Sequence, residues 1–97
     1  MTGATFLTLA SVNEEQIQNV QELASIWGDI RRDIERLGGD LDGTYCLVGR
    51  YDFLLLFDAA DRDVALQISI AIERYGLDTE TMPATPVERF GELVGEI

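Results

Sequence analysis

Residues 43–58, GTYCLVGRYDFLLLFD, hold two apolar segments joined by Gly49-Arg50. Tyrosine, valine, phenylalanine and leucine on either side of a glycine predict strands over 43–48 and 51–58, paired as a hairpin. Glycine at the join tolerates the positive φ that such a turn demands. The second arm decides more than the first. A strand with one wet face alternates apolar and polar residues, but Phe53-Leu54-Leu55-Leu56-Phe57 is unbroken. Helices packed on one side shelter half of that run, so a second cover is required for the rest.

Working outward, residues 4–12 (ATFLTLASV) read as a strand. Asn13 is a good N-cap, with Glu14 and Glu15 in the first turn and Gln16 in the capping-box position. Ile17, Val20, Leu23, Trp27, Ile30, Ile34 and Leu37 follow at spacings of three or four. That spacing predicts one helix ending at Gly38-Gly39. Beyond the hairpin, Asp61 caps a helix over about 62–75, closed by Gly76. Residues 77–83 predict a strand with Leu77, Thr79 and Thr81 on one side and Asp78, Glu80 and Met82 on the other. Thr85-Pro86-Val87-Glu88 then carries the marks of a helix start, giving a short helix over about 86–96. The order is βαββαβ plus a terminal helix, with no repeat or linker. One domain over 1–97 follows, of the α+β class, with the ferredoxin-like split βαβ arrangement.

In that arrangement both long helices lie on one face of the sheet. Burying three large side chains on the other face contributes about 5–9 kcal/mol at ~1.5–3 kcal/mol each, before association costs. The expectation is therefore a homodimer packed sheet on sheet, a dimeric α/β barrel. Phe53, Leu54, Leu55, Leu56 and Phe57 are the interface candidates. Phe90 and Leu93 join them from a terminal stripe (Val87, Phe90, Leu93, Val94, Ile97) able to clasp a neighbour. A heterologous contact added to the two-fold one extends assembly to a ring, cage or filament. The competing expectation is that the terminal helix folds beneath its own sheet.

Eighteen acids oppose seven bases, a net charge of −11, and each base is arginine. Dense carboxylates suit concentrated salt, where the Debye length falls to ~3 Å at ~1 M and their mutual repulsion is screened. A halophilic source is expected. The same charge excludes a nucleic-acid backbone or an anionic membrane as partner. No apolar run approaches the ~18 residues of a membrane span. Met1-Thr2-Gly3-Ala4-Thr5 lacks the basic start of a signal peptide, and the single cysteine, Cys46, has no internal disulfide partner. A cytoplasmic protein is expected.

Gly49-Arg50-Tyr51-Asp52 after Tyr45, with Gly38-Gly39 before it and Thr79-Glu80-Thr81 after it, resembles the GYD-domain family, named for a Gly-x-Tyr-Asp motif. The resemblance runs from about residue 6 to residue 90 and includes Ile17, Asn19 and Val20. It implies a ferredoxin-like fold of the dimeric α/β-barrel group, a first helix broken after the Val20 region, and no established general activity. Asp78 and Cys46 stand where the family often has an arginine and an aromatic residue.

The chain has no histidine. The usual general base near neutral pH, the usual metal and haem ligand, and Ser-His or Cys-His nucleophilic pairs are thereby removed. No cofactor and no metal are expected. Cys46, mid-strand among apolar residues, reads as a buried small hydrophobe, and Trp27 as core. Glu14-Glu15 and Asp61/Asp63 read as solvated helix caps. No Walker loop, GxGxxG or CxxC occurs. Tyr45, Arg50, Tyr51 and Asp52 are candidates for a small polar or anionic ligand at the mouth of a cleft. Three functions of different class follow: self-association with a structural or scaffold role, a small-ligand sensor using the Tyr45/Tyr51 cleft, and a cofactor-free enzyme with Tyr51 and Asp52 as acid and base.

Overall fold

The computed structural model describes residues 3–13, 15 and 20–97. Strands β1 (Ala4–Val12), β2 (Asp40–Cys46), β3 (Phe53–Ala59) and β4 (Leu77–Pro83) form one antiparallel sheet in the order β2-β3-β1-β4. Helices α1 (Val20–Ser25) and α2 (Trp27–Arg36) lie between β1 and β2, α3 (Arg62–Glu73) between β3 and β4, and α4 (Val87–Gly95) after β4. This mixed α+β topology is compatible with the ferredoxin-like fold.

The core sits between one sheet face and helices α2 and α3. Phe6, Ala10, Leu55, Phe57 and Ala59 supply the sheet side, and Ile30, Ile34, Ala65, Ile68 and Ile72 the helix side. The Phe6 and Phe57 rings stack at 5.9 Å, and Trp27 meets Phe53 edge-on at 4.8 Å. The start of α3 is as the sequence predicts: the Asp61 carboxylate accepts the Val64 amide at 3.0 Å. The two helices approach closely where α2 ends. A Cβ at Gly39 would stand 2.6 Å from Ile68 Cδ1 and 2.8 Å from Ile34 Cγ2, so any larger residue there must displace those side chains. Tyr75 adds a polar tie, its hydroxyl donating to Asp33 at 2.6 Å. That bond holds the Asp33 carboxyl below its ordinary range.

Several expectations are corrected. The single long first helix is two, broken at Ile26; the Ser25 hydroxyl donates back to the Glu22 carbonyl at 2.8 Å, competing with helical continuation. Asn13 accepts the Glu15 amide at 3.1 Å, while Glu14 and residues 16–19, with the expected capping box, lie outside the described residues. Strand β2 begins at Asp40 rather than 43, because a bulge between Leu41 and Gly43 lets pairing continue to Asp40↔Asp58. It ends at Cys46, which is exposed rather than buried. The hairpin connection spans 47–52 rather than Gly49-Arg50 alone. The capping box of α4 does not form: Pro86 occupies the N-cap position, without a side-chain cap bond.

Helix α4 also decides between the two ways of covering the sheet. Residues 85–97 are all exposed, and among the described residues α4 makes no extensive contact with another element. It does not fold beneath the sheet. The radius of gyration, 14.6 Å, exceeds the ~12.5 Å of a compact chain of this length, as a projecting helix requires.

Candidate functional site

The uncovered sheet face is built by register. Leu7 pairs with Leu56 on one side and Met82 on the other, and Leu9 with Leu54 and Glu80. Tyr45 lies beyond Leu54, and Gly43 beyond Leu56. Two cross-strand rows therefore run over this face, Met82-Leu7-Leu56 and Glu80-Leu9-Leu54-Tyr45. The four leucines and Met82 are half-buried by one another, and Tyr45 is 55% exposed. The apolar run of β3 is thus divided: Phe53, Leu55 and Phe57 point beneath the helices, Leu54 and Leu56 away from them. Phe90 and Leu93 sit exposed on α4.

Polar groups bracket the apolar rows. At one end Asp40, Asp42 and Asp58 bring carboxylate oxygens within 4.8 Å of one another, and Thr5 donates to Asp58 at 2.8 Å. Burial and the charges of Asp58 and Asp40 push the Asp42 carboxyl up. Exposed acids in so acidic a chain make no metal site by themselves. At the other end the Tyr51 hydroxyl donates to Glu80 at 2.6 Å, reaching across β1 from the hairpin to the edge strand. This bond raises the Tyr51 pKa.

The four ligand candidates do not share one cleft. Gly49 adopts φ 141°, the positive region that the turn needs. Arg50 lies 5.8 Å from the Tyr51 ring centre. Asp52 accepts the Val12 amide at 2.8 Å, while its own amide donates to Ala10 and its carbonyl accepts from Leu47. Tyr45 instead borders a separate shallow depression of about 140 Å³ with Trp27 and Phe53. Chemically, Tyr51 and Asp52 are ill placed for acid–base work. A tyrosine whose hydroxyl is bonded to a carboxylate is a weaker acid than usual, and the Asp52 side chain is occupied by a backbone amide.

A family model described as the GYD domain matches residues 6–94. The chain belongs to the GYD-domain family. A comparison with curated proteins finds no match. In this GYD domain the glycine, tyrosine and aspartate of the motif are a joint: they turn the hairpin and fasten it to β1 and β4.

Sequence reasoning missed a second polar feature, on the helix side of the sheet. Thr8 and Thr81 hydroxyls lie 2.7 Å apart, Thr81 donates to Ser69 at 2.9 Å, Ser69 and Thr79 lie 2.7 Å apart, and Thr79 donates to Glu73 at 2.6 Å. Each hydroxyl has one proton, and Thr79 gives its own to the Glu73 carboxylate. The direction is therefore fixed: Thr8 to Thr81 to Ser69 to Thr79 to Glu73. The available signal was Thr79 and Thr81 on the Leu77 side of β4, hydroxyls where a core strand would carry aliphatics.

Proposed function

We propose that this GYD domain acts by homo-oligomerisation, as a structural or scaffold component adapted to concentrated salt in the cytoplasm, with the bare sheet face and α4 as its contact surfaces. The observation that carries the reading is the pair of apolar rows over Leu7, Leu9, Leu54 and Leu56, which α4 leaves open. Magnitudes decide how much each surface contributes. Full burial of a large aliphatic is worth ~1.5–3 kcal/mol, but these side chains already shield one another, so each gains less than about 1 kcal/mol. Counting four leucines from each of two copies, the face contributes less than about 8 kcal/mol, inside the ~4–15 kcal/mol that association costs. Val87, Phe90, Leu93, Val94 and Ile97 are far more exposed, between 44% and 103%, so their burial contributes about 1–2 kcal/mol each. Assembly thus rests on α4 as well as the sheet. Concentrated salt screens the −11 charge of each copy.

Light scattering coupled to size exclusion tests this. In ~2 M KCl, where surface charges more than ~3 Å apart are screened, the mass is expected at a whole multiple of 10.8 kDa above one. Leu54→Asp or Leu56→Asp is expected to return it to a single chain or to insoluble protein. A wild-type mass of 10.8 kDa in that salt rejects self-association, and unchanged mass in both variants rejects the sheet face.

A further inference from the structure

The start of α3 and the β1/β4 edge enclose a cleft of about 650 Å³, within the size range of small-molecule sites. Phe6, Leu66 and Pro83 give it an apolar lining, and Ser69 and Thr81 are its inner polar groups. Arg62 and Asp63 also line it, one charge of each sign, and the two hydroxyls are its neutral polar groups. Their protons are already committed. Thr81 gives its proton to Ser69, and Ser69 gives its own to Thr79, because Thr79 is committed to the Glu73 carboxylate. Each hydroxyl oxygen has two lone pairs. Ser69 and Thr81 each spend one on the chain and have one left, with no proton to offer.

We infer that this cleft binds a small amine with an apolar body, its ammonium donating to Ser69 and Thr81 and its hydrocarbon lying on Phe6, Leu66 and Pro83. A carboxylate of the same shape meets lone pairs where it needs donors and is refused. The site lies on the helix side of the sheet, away from Tyr45 and Tyr51 and from the face assigned to self-association, so it stands or falls independently of that assignment.

Three probes with one body and different heads test it: phenethylamine, phenethyl alcohol and phenylacetate, titrated by NMR into the isotope-labelled protein. Work in ~2 M KCl suppresses loose binding of cations to the acidic surface. Phenethylamine is expected to move the amide signals of Leu66, Ser69 and Thr81 saturably. The alcohol, lacking charge assistance, should bind about tenfold more weakly, and phenylacetate should not saturate. Ser69→Ala should weaken the amine about fivefold. Thr79→Val is the sharper variant because Thr79 does not line the cleft. It removes the acceptor that holds the Ser69 proton, which then turns to the cleft and shifts preference toward phenylacetate. Phenylacetate binding the wild type as tightly as the amine overturns the inference. So do shifts scattered over the surface, silence from all three probes, or a preference unaltered by Thr79→Val.

Discussion

Asp52 accepts the Val12 amide at 2.8 Å while its own amide reaches Ala10, so one motif residue binds the hairpin to β1 through side chain and main chain together. The acceptor, more than the charge, carries this role, and the side chain is exposed, so the Val12 amide can turn to water when it is lost. Asp52→Ala is therefore expected to cost about 1 kcal/mol, a melting temperature lower by ~4–8 °C for a domain of this size. Asp52→Asn keeps a carbonyl in the same place and should recover most of that loss. Thermal unfolding of the two variants side by side reads the difference; equal losses would make the charge the important part. Tyr51 is bound likewise, to Glu80, so the Gly-x-Tyr-Asp signature marks a mechanical joint.

Helix α4 is the element with the least attachment and the most exposed apolar surface. Phe90→Asp separates its two possible roles. If the stripe serves another copy, the variant should lower the mass in salt and abolish any dependence of the melting temperature on protein concentration. The unfolding free energy of the single chain should stay within about 0.5 kcal/mol, as for an ordinary surface change. A loss of several kcal/mol in dilute solution would instead mean that α4 packs on its own chain. This element also shows what sequence can and cannot reveal. Its apolar spacing and Pro86 announce a helix, yet neither says what the stripe will meet, because that depends on where the three residues after Pro83 aim the chain. The strands were legible for the opposite reason. Leu55 and Phe57 belong to a run that only a two-sided strand explains, and Asp61 and Gly76 punctuate α3 on both sides. The apolar spacing hid the break at Ile26, because Leu23, Trp27 and Ile30 keep helical spacing through it, whereas the family resemblance implied a first helix broken after the Val20 region. The relay through Ser69 and Thr81 was hidden because its partners are six to 73 residues apart and the links from Ser69 form only when α3 lies on β4. The motif residues looked like a cleft because they adjoin in sequence; in space Tyr51 is bound to β4 and Asp52 to β1.

At the scale of the molecule the governing quantity is charge, −11 on 97 residues, and its sharpest local expression is Asp40, Asp42 and Asp58 crowded beside the apolar rows. Burial and the two neighbouring charges push the Asp42 carboxyl above its ordinary value of 3.8. Between that value and the raised one the folded chain holds more protons than the unfolded chain, so stability falls as pH rises through this window and the full penalty is present at neutrality. Asp33 has the opposite sign: the Tyr75 hydroxyl lowers its pKa, so its contribution is present above 3.8 and disappears as pH falls through the lowered value. Taken alone, these two groups favour mild acidity over neutrality. Salt acts on the same repulsion, since the Debye length falls to ~3 Å at ~1 M, less than the 4.8 Å that bounds the cluster. Asp42→Asn should therefore raise the melting temperature by a few degrees in dilute buffer at neutral pH, and the gain should shrink in ~2 M KCl, where screening has already removed most of the repulsion. The same substitution should flatten the rise in stability on mild acidification. Calorimetric scans of wild type and variant across pH and salt measure both. A gain that persists undiminished in concentrated salt would assign the effect to desolvation of the carboxylate, leaving the net charge of the molecule with no part in it.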